Sequence, residues 1–288
     1  MKNWLLAARP KTLSAAIVPV LMATALAAHQ PTGIVWPIAA CALAGAILIQ
    51  IATNFINDAL DFKKGADTGE RIGPIRVVQA GLIHADAVLT AAYVCLFLAA
   101  MCGVPLLLRG GWPLLAIGLA SIVMAYAYTG GPYPLAYHGL GELFVLLFFG
   151  FAAVGGTYYV QTLTIDPAVL LTGFAAGALA TVLLVINNLR DVATDRVSRK
   201  RTLAVRFGPM FARAEVVFFA LVPFFIAGAV AWHRSMPWLL VTLAALPLAL
   251  LVIVRVLRAD GPALNKALAM AGALQWAFGL LFVLGTVL

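Results

Sequence analysis

The feature that most constrains this chain is a row of long apolar runs, broken only by short clusters of charge, Pro and Gly. The runs fall at about 13–28, 34–56, 86–108, 113–129, 140–160, 167–187, 211–231, 237–257 and 267–287. Each is close to the ~20 residues that carry a helix across ~30 Å of hydrocarbon. In lipid the backbone must satisfy its own hydrogen bonds, so only helices and closed barrels can span. Barrel strands are short and alternate in polarity, and these runs do neither. The expected fold is an all-α integral membrane protein, a single domain over residues 1–288 with nine transmembrane helices around a central cavity. Composition agrees, with 64% hydrophobic and 10% charged residues against about 25% charged in soluble domains.

The net charge of +8 does not point to nucleic acid, because the bases flank the apolar runs and are mixed with acids. With the N-terminus in the cytoplasm, only Arg109 and Arg234 of the 19 Lys and Arg residues face outward. The positive-inside rule therefore predicts a cytoplasmic N-terminus and an external C-terminus. Cys41, Cys95 and Cys102 lie inside apolar runs without metal-ligand spacing and read as packing residues. The first run continues as a full span, so no cleavable signal peptide is expected.

Charge concentrates in two places. From Asn54 to Arg76, Asn54, Asp58 and Asp61 recur at steps of four and three, one face of a helix, and Asp67 follows a Gly break. From Asn187 to Thr202, Asn187, Asp191 and Asp195 recur at steps of four. Carboxylates this dense repel one another unless a cation lies between them, and Mg²⁺ shared with phosphate oxygens is the usual answer. Lys63, Lys64, Arg71 and Arg76 flank the first stretch; Arg190, Arg199, Lys200 and Arg201 flank the second. Such groups suit the remaining phosphate oxygens, so the pattern reads as a diphosphate site. A solvated juxtamembrane loop would share the composition, but the same spacing at a second helix end argues against it. Both stretches close helices four apart in the order, which makes those helices parallel. Two parallel four-helix repeats plus one added helix would bring the acidic faces together across the cavity.

Here the chain resembles a known family. Asn57-Asp58-x-x-Asp61 with Asp67-Thr68, and Asp191-x-x-x-Asp195-x-x-x-x-Lys200-x-Thr202, are similar to the two aspartate-rich motifs of the UbiA superfamily of intramembrane aromatic prenyltransferases. Arg9-Pro10-Lys11-Thr12-Leu13, the run from Arg71 to Gly81, and Tyr128-Thr129-Gly130-Gly131-Pro132 leading to Gly141-Glu142 resemble its MenA branch, the 1,4-dihydroxy-2-naphthoate polyprenyltransferases of menaquinone biosynthesis. Two departures stand out. Ala59 occupies a position where many relatives have Tyr, which would alter packing against the prenyl chain. Ser198-Arg199 replaces the usual Asn-Gly, placing a stiffer, more basic residue before Lys200.

The resemblance implies transfer of a polyprenyl group from its diphosphate to an aromatic acid, with decarboxylation, in the bilayer. It assigns Mg²⁺ to Asp58, Asp61, Asp67, Asp191 and Asp195. Substrate contacts fall to Asn54, Asn57, Arg76, Asn187, Asn188, Lys200, Arg201 and Tyr128, and Lys11 is assigned to the acceptor's carboxylate. Phe148, Phe149, Tyr158 and Tyr159 are expected to shield an allylic cation from water. Tyr126, Tyr128, Tyr133 and Tyr137 cluster around the Gly-Gly-Pro loop, and at least two of them read as an interfacial aromatic belt; Glu142 reads as a helix-start carboxylate with a structural role. Rival readings are a sister enzyme using 4-hydroxybenzoate or making a haem or chlorophyll lipid, and a transporter of an anionic substrate. The transporter fits poorly, since the polar residues gather at one end.

Overall fold

The computed structural model describes residues 1–65, 73 and 75–288, and among them it is all-helical. Helix α1 (Lys2–Ala8) and a 3₁₀ turn (Pro10–Thr12) lead into α2 (Ser14–Ala27), with a bend of 53° between them. There follow α3 (Trp36–Lys63), α4 (Ala85–Gly110), α5 (Trp112–Ala127), α6 (Gly141–Thr162) and α7 (Pro167–Arg190). Two short helices, α8 (Val192–Val197) and α9 (Leu203–Phe207), precede α10 (Pro209–Arg234), α11 (Pro237–Arg258) and α12 (Leu264–Val287).

All nine expected apolar segments are helical, yet the expected number of spans is not reached by length and composition. Among the described residues seven helices qualify, or eight if the bent N-terminal pair counts as one span. The shortfall is α5. Its 16 residues reach only about 24 Å before Thr129-Gly130-Gly131-Pro132 ends it. Conversely, α3 runs seven residues beyond its expected end at 56, which places the first aspartates inside its last turns.

Within each half of the chain, neighbours in sequence pack together: α2 on α3, α3 on α4, α4 on α5; then α6 on α7, α7 on α10, α10 on α11. Helix α12 closes the second half against α2, α7 and α11. The second-half core includes Met22 and Leu26 of α2 beside Leu179, Ile186, Val216 and Phe278, whereas Phe55 and Ile56 of α3 pack with Val77, Val88 and Ala92. Helix α2 thus belongs to the second core while contacting α3, and it joins the halves. Close approach of α6 and α7 depends on glycine. A Cβ at Gly150 would lie 2.5 Å from the Gly173 carbonyl, and one at Gly177 would lie 3.0 Å from the Gly150 Cα. Small residues four apart are how membrane helices come into backbone contact, and here Leu146–Gly155 of α6 is wound as a π-helix.

Between α3, α4, α5 and α6 lies an apolar cavity of about 440 Å³. Phe144, Phe148, Phe149, Met101 and Met124 line it, with Gln50, Thr53 and Tyr128 among its few polar walls. The far end of the bundle is tied shut. Arg109 donates to the carbonyls of Val160 (2.6 Å) and Gln161 (2.9 Å), and Arg234 pairs with Asp166. Asp166 also caps α7 through the amides of Ala168 and Val169 at 2.9 and 3.2 Å.

Candidate active site

The last turns of α3 present Asn54, Asp58 and Asp61, none more than 5% exposed. Residues 75–83 fold back over them. Asp58 Oδ2 accepts the Val77 amide at 3.1 Å, and its buried Oδ1 has no partner among the described residues. Asp61 Oδ2 pairs with Arg76 at 2.8 Å, and Arg76 also donates to the Asn57 carbonyl at 2.8 Å. The Asn57 side chain accepts from the Thr129 hydroxyl. Asn54 is tied to the N-terminal segment, donating to the Ala8 carbonyl at 2.9 Å and to Thr12 Oγ1 at 3.0 Å. Asp67 lies outside the described residues.

At the end of α7, the Arg190 guanidinium has no exposed side-chain surface and grips Asp191 with both arms, at 2.7 and 2.6 Å. It also donates to Asn187 at 2.7 Å and to Asn265 at 2.9 Å. Asn188 donates to Glu142 at 3.0 Å, so the carboxylate read as a helix-start residue orients a site amide. Asp195, on α8, is 8% exposed, and its carbonyl accepts the Lys200 amide at 2.8 Å. Arg201 is exposed and joins the site through its backbone amide, which donates to the Tyr137 carbonyl at 3.0 Å. Lys11 is also exposed; its neighbour Thr12 is the residue that reaches Asn54.

Tyr137 joins the two stretches. Its hydroxyl donates to Asp61 Oδ1 at 2.9 Å, its ring has Lys64 at 5.0 Å and Lys200 at 5.7 Å, and its carbonyl holds Arg201. The turn after it requires glycine: Gly139 has φ +70°, and a Cβ there would meet the Arg201 carbonyl at 2.9 Å. Nearby, burial, together with the carboxylates of Glu142, Asp61 and Asp195, pushes the Tyr128 phenol well above its ordinary range. Burial pulls the Lys64 ammonium down, with Asp61 opposing. The tyrosine cluster around the Gly-Gly-Pro loop gives Tyr137 no role of its own in the sequence; the Tyr128-to-Pro132 motif nearby was the available signal for this bridge.

Other expectations are corrected. Phe148 and Phe149 do line the cavity. Tyr158 does not, because its hydroxyl is held at the far end by Asp166 (3.2 Å) and Arg234 (3.1 Å), and Tyr159 packs with Ile38, Leu114 and Val160. Ala59 has no exposed surface and packs among Ala7, Val77 and Val88, away from the cavity lining. Among the described residues no three His, Cys, Asp or Glu side chains converge on one metal-sized point, since arginines hold Asp61 and Asp191.

Residues 16–278 match the profile of the UbiA prenyltransferase family. The chain belongs to the UbiA prenyltransferase family. Among similar UbiA proteins, the 1,4-dihydroxy-2-naphthoate octaprenyltransferase of Mycobacterium tuberculosis is 42% identical, the match covering 96% of this chain and 97% of that one. The enzyme of the same name from Escherichia coli is 39% identical over 84% of this chain and 82% of its own. The fold is that of a UbiA homolog from Archaeoglobus fulgidus bound to DMAPP and Mg²⁺, with TM-score 0.68, 14% identity, and coverage of 98% and 99%.

Proposed function

We propose that this UbiA protein transfers a polyprenyl group from polyprenyl diphosphate to 1,4-dihydroxy-2-naphthoate, with release of diphosphate and loss of the carboxyl group as CO₂, to give demethylmenaquinol, the reduced form of demethylmenaquinone. One observation carries the reading: two helix ends rich in Asp, Asn and base meet through Tyr137 beside an apolar cavity. The shared name of the relatives selects the acceptor. Carboxylate oxygens are the donors that magnesium, a hard cation, takes, and the unpartnered buried Oδ1 of Asp58 is a ligand atom otherwise difficult to account for; Asp61 and Asp191 would join it by exchanging Arg76 and Arg190 for the ion. Asp58, Asp61, Asp191 and Asp195, with Asp67, would hold it. Bound there, magnesium would neutralise the diphosphate and make it a better leaving group.

The chain's own residues supply the rest. Arg76, Lys200 and Arg201 take diphosphate oxygens as hydrogen-bond donors. Asn187 and the Asn57 carbonyl accept from Arg190 and Arg76, Asn188 is held by Glu142, and Asn54 ties α3 to the N-terminal segment, so the four place the ends of α3 and α7 around the diphosphate. The prenyl chain lies in the cavity against Phe148 and Phe149, whose faces keep water from the allylic carbon as its bond to oxygen breaks. The electron-rich ring carbon bearing the carboxylate then forms the new carbon–carbon bond. The distribution of bases supports a cell-membrane protein whose site opens to the cytoplasm. In the test, membranes containing the protein are incubated with Mg²⁺, a polyprenyl diphosphate and either 1,4-dihydroxy-2-naphthoate or 4-hydroxybenzoate, and the lipid product is identified by mass. A prenylated naphthoquinol is expected; a prenylated benzoate would assign the chain to the sister activity.

A further inference from the structure

Gln50 sits one helical turn before Asn54, is only 7% exposed and lines the apolar cavity. The orientation of its amide follows from its neighbours. Asn54 Nδ2 donates to the Ala8 carbonyl, a group that can only accept, so Asn54 turns its Oδ1 toward Gln50. That oxygen can only accept as well, and it therefore faces Gln50 Nε2, at 3.4 Å. Thr12 closes the argument: its one hydroxyl proton goes to the Arg9 carbonyl at 2.9 Å, so its Oγ1 also accepts from Gln50 Nε2, at 3.4 Å. Both bonds are long. Gln50 Oε1 is left buried with no donor among the described residues.

A buried carbonyl oxygen without a donor is unfavourable and rare in folded proteins. A ligand donor accounts for it, and the two substrates proposed above differ in what they offer. A prenyl diphosphate brings hydrocarbon and acceptor oxygens, whereas a dihydroxynaphthoate brings two O–H groups. We infer that Gln50 is an acceptor-binding residue: its amide oxygen receives a hydrogen bond from a ring hydroxyl of the aromatic substrate, at the junction of the aspartate end and the prenyl cavity. The inference rests on the proposed acceptor and adds the residue that selects it. A site built around such a bond discriminates against analogues lacking the hydroxyl, because its own polar atom is then left unpaired.

The test uses the full chain in lipid nanodiscs. Kd is measured for 1,4-dihydroxy-2-naphthoate and its two monohydroxy analogues, 1-hydroxy- and 4-hydroxy-2-naphthoate, in wild type and Gln50→Met. In wild type, one analogue should bind about tenfold more weakly than the diol. In Gln50→Met the diol should lose about the same factor, the analogue's deficit should shrink to less than twofold, and Kd for a polyprenyl diphosphate should stay unchanged. Equal weakening of diol, analogues and diphosphate would mean that Gln50 only ties helices together and would overturn the inference. Should Gln50→Met fail to insert, the wild-type comparison decides alone, since tight binding of both analogues removes the hydrogen bond. Wild-type protein that binds the diphosphate but not the diol would refute the acceptor itself, and this inference with it.

Discussion

Tyr137→Phe isolates the bond that joins the two halves of the site. The substitution deletes one O–H donor to a buried carboxylate, 2.9 Å from Asp61 Oδ1, and leaves the ring, its contacts with Lys64 and Lys200, and the backbone untouched. A hydrogen bond to a charged group is worth about 1.5–3 kcal/mol, roughly a tenfold to hundredfold change in an equilibrium or rate. If Asp61 must be held on this axis to receive the diphosphate, kcat/KM for the prenyl diphosphate should fall by that factor while KM for the naphthoate hardly moves. Tyr137→Leu also removes the ring face beneath two ammonium groups, each contact adding about 0.5–1 kcal/mol at a half-exposed site, so its loss should be several-fold greater. Initial rates on purified protein, with product counted by mass spectrometry, read both variants. Tyr137→Phe with wild-type kcat/KM, or with equal losses for the two substrates, would refute the bridging role.

Asp58→Ala should abolish turnover in protein that still inserts, and thorough chelation should do the same reversibly on return of Mg²⁺; turnover surviving either treatment counts against the metal assignment. Gly150→Ala forces a methyl against a carbonyl 2.5 Å away and should cost about 1–3 kcal/mol through overpacking, read as a thermal midpoint several degrees lower in detergent. Arg199 is exposed and holds φ +57°, a conformation costing a non-glycine residue about 1 kcal/mol. Arg199→Gly should therefore leave stability equal or slightly raised and change KM for the prenyl diphosphate less than twofold; a lowered melting midpoint would contradict the strain argument.

The sequence displays the helices because lipid imposes one long apolar pattern on each. Its carboxylates are equally plain, because spacing by threes and fours survives translation into a helical face. What it conceals lies between segments. Nothing in the spacing tells that Tyr137, among the four clustered tyrosines, is the one that reaches Asp61, since that depends on a glycine turn packed on a loop more than 60 residues away in sequence. Tyr158 looks as suitable for the cavity as Phe148, but it stands ten residues farther along α6, where Asp166 and Arg234 hold its hydroxyl at the far end. Gln50 escapes notice because a single amide in an apolar run carries no pattern, and its meaning comes from Thr12 and Asn54.

The position of α2 has a further consequence for how the protein is made. Ser14, at its start, donates at 2.8 Å to Gln275 on the last helix, across 261 residues of sequence. At a synthesis rate of roughly 5–20 residues per second, that partner emerges on the order of 13–52 s later. Until then Ser14 lacks this acceptor, and α2 has only α3, α6 and α7 of its final neighbours to pack on. Because α12 packs on α2, α7 and α11 alike, these contacts, which join the start of the chain to its end, can form only after every other helix has been made.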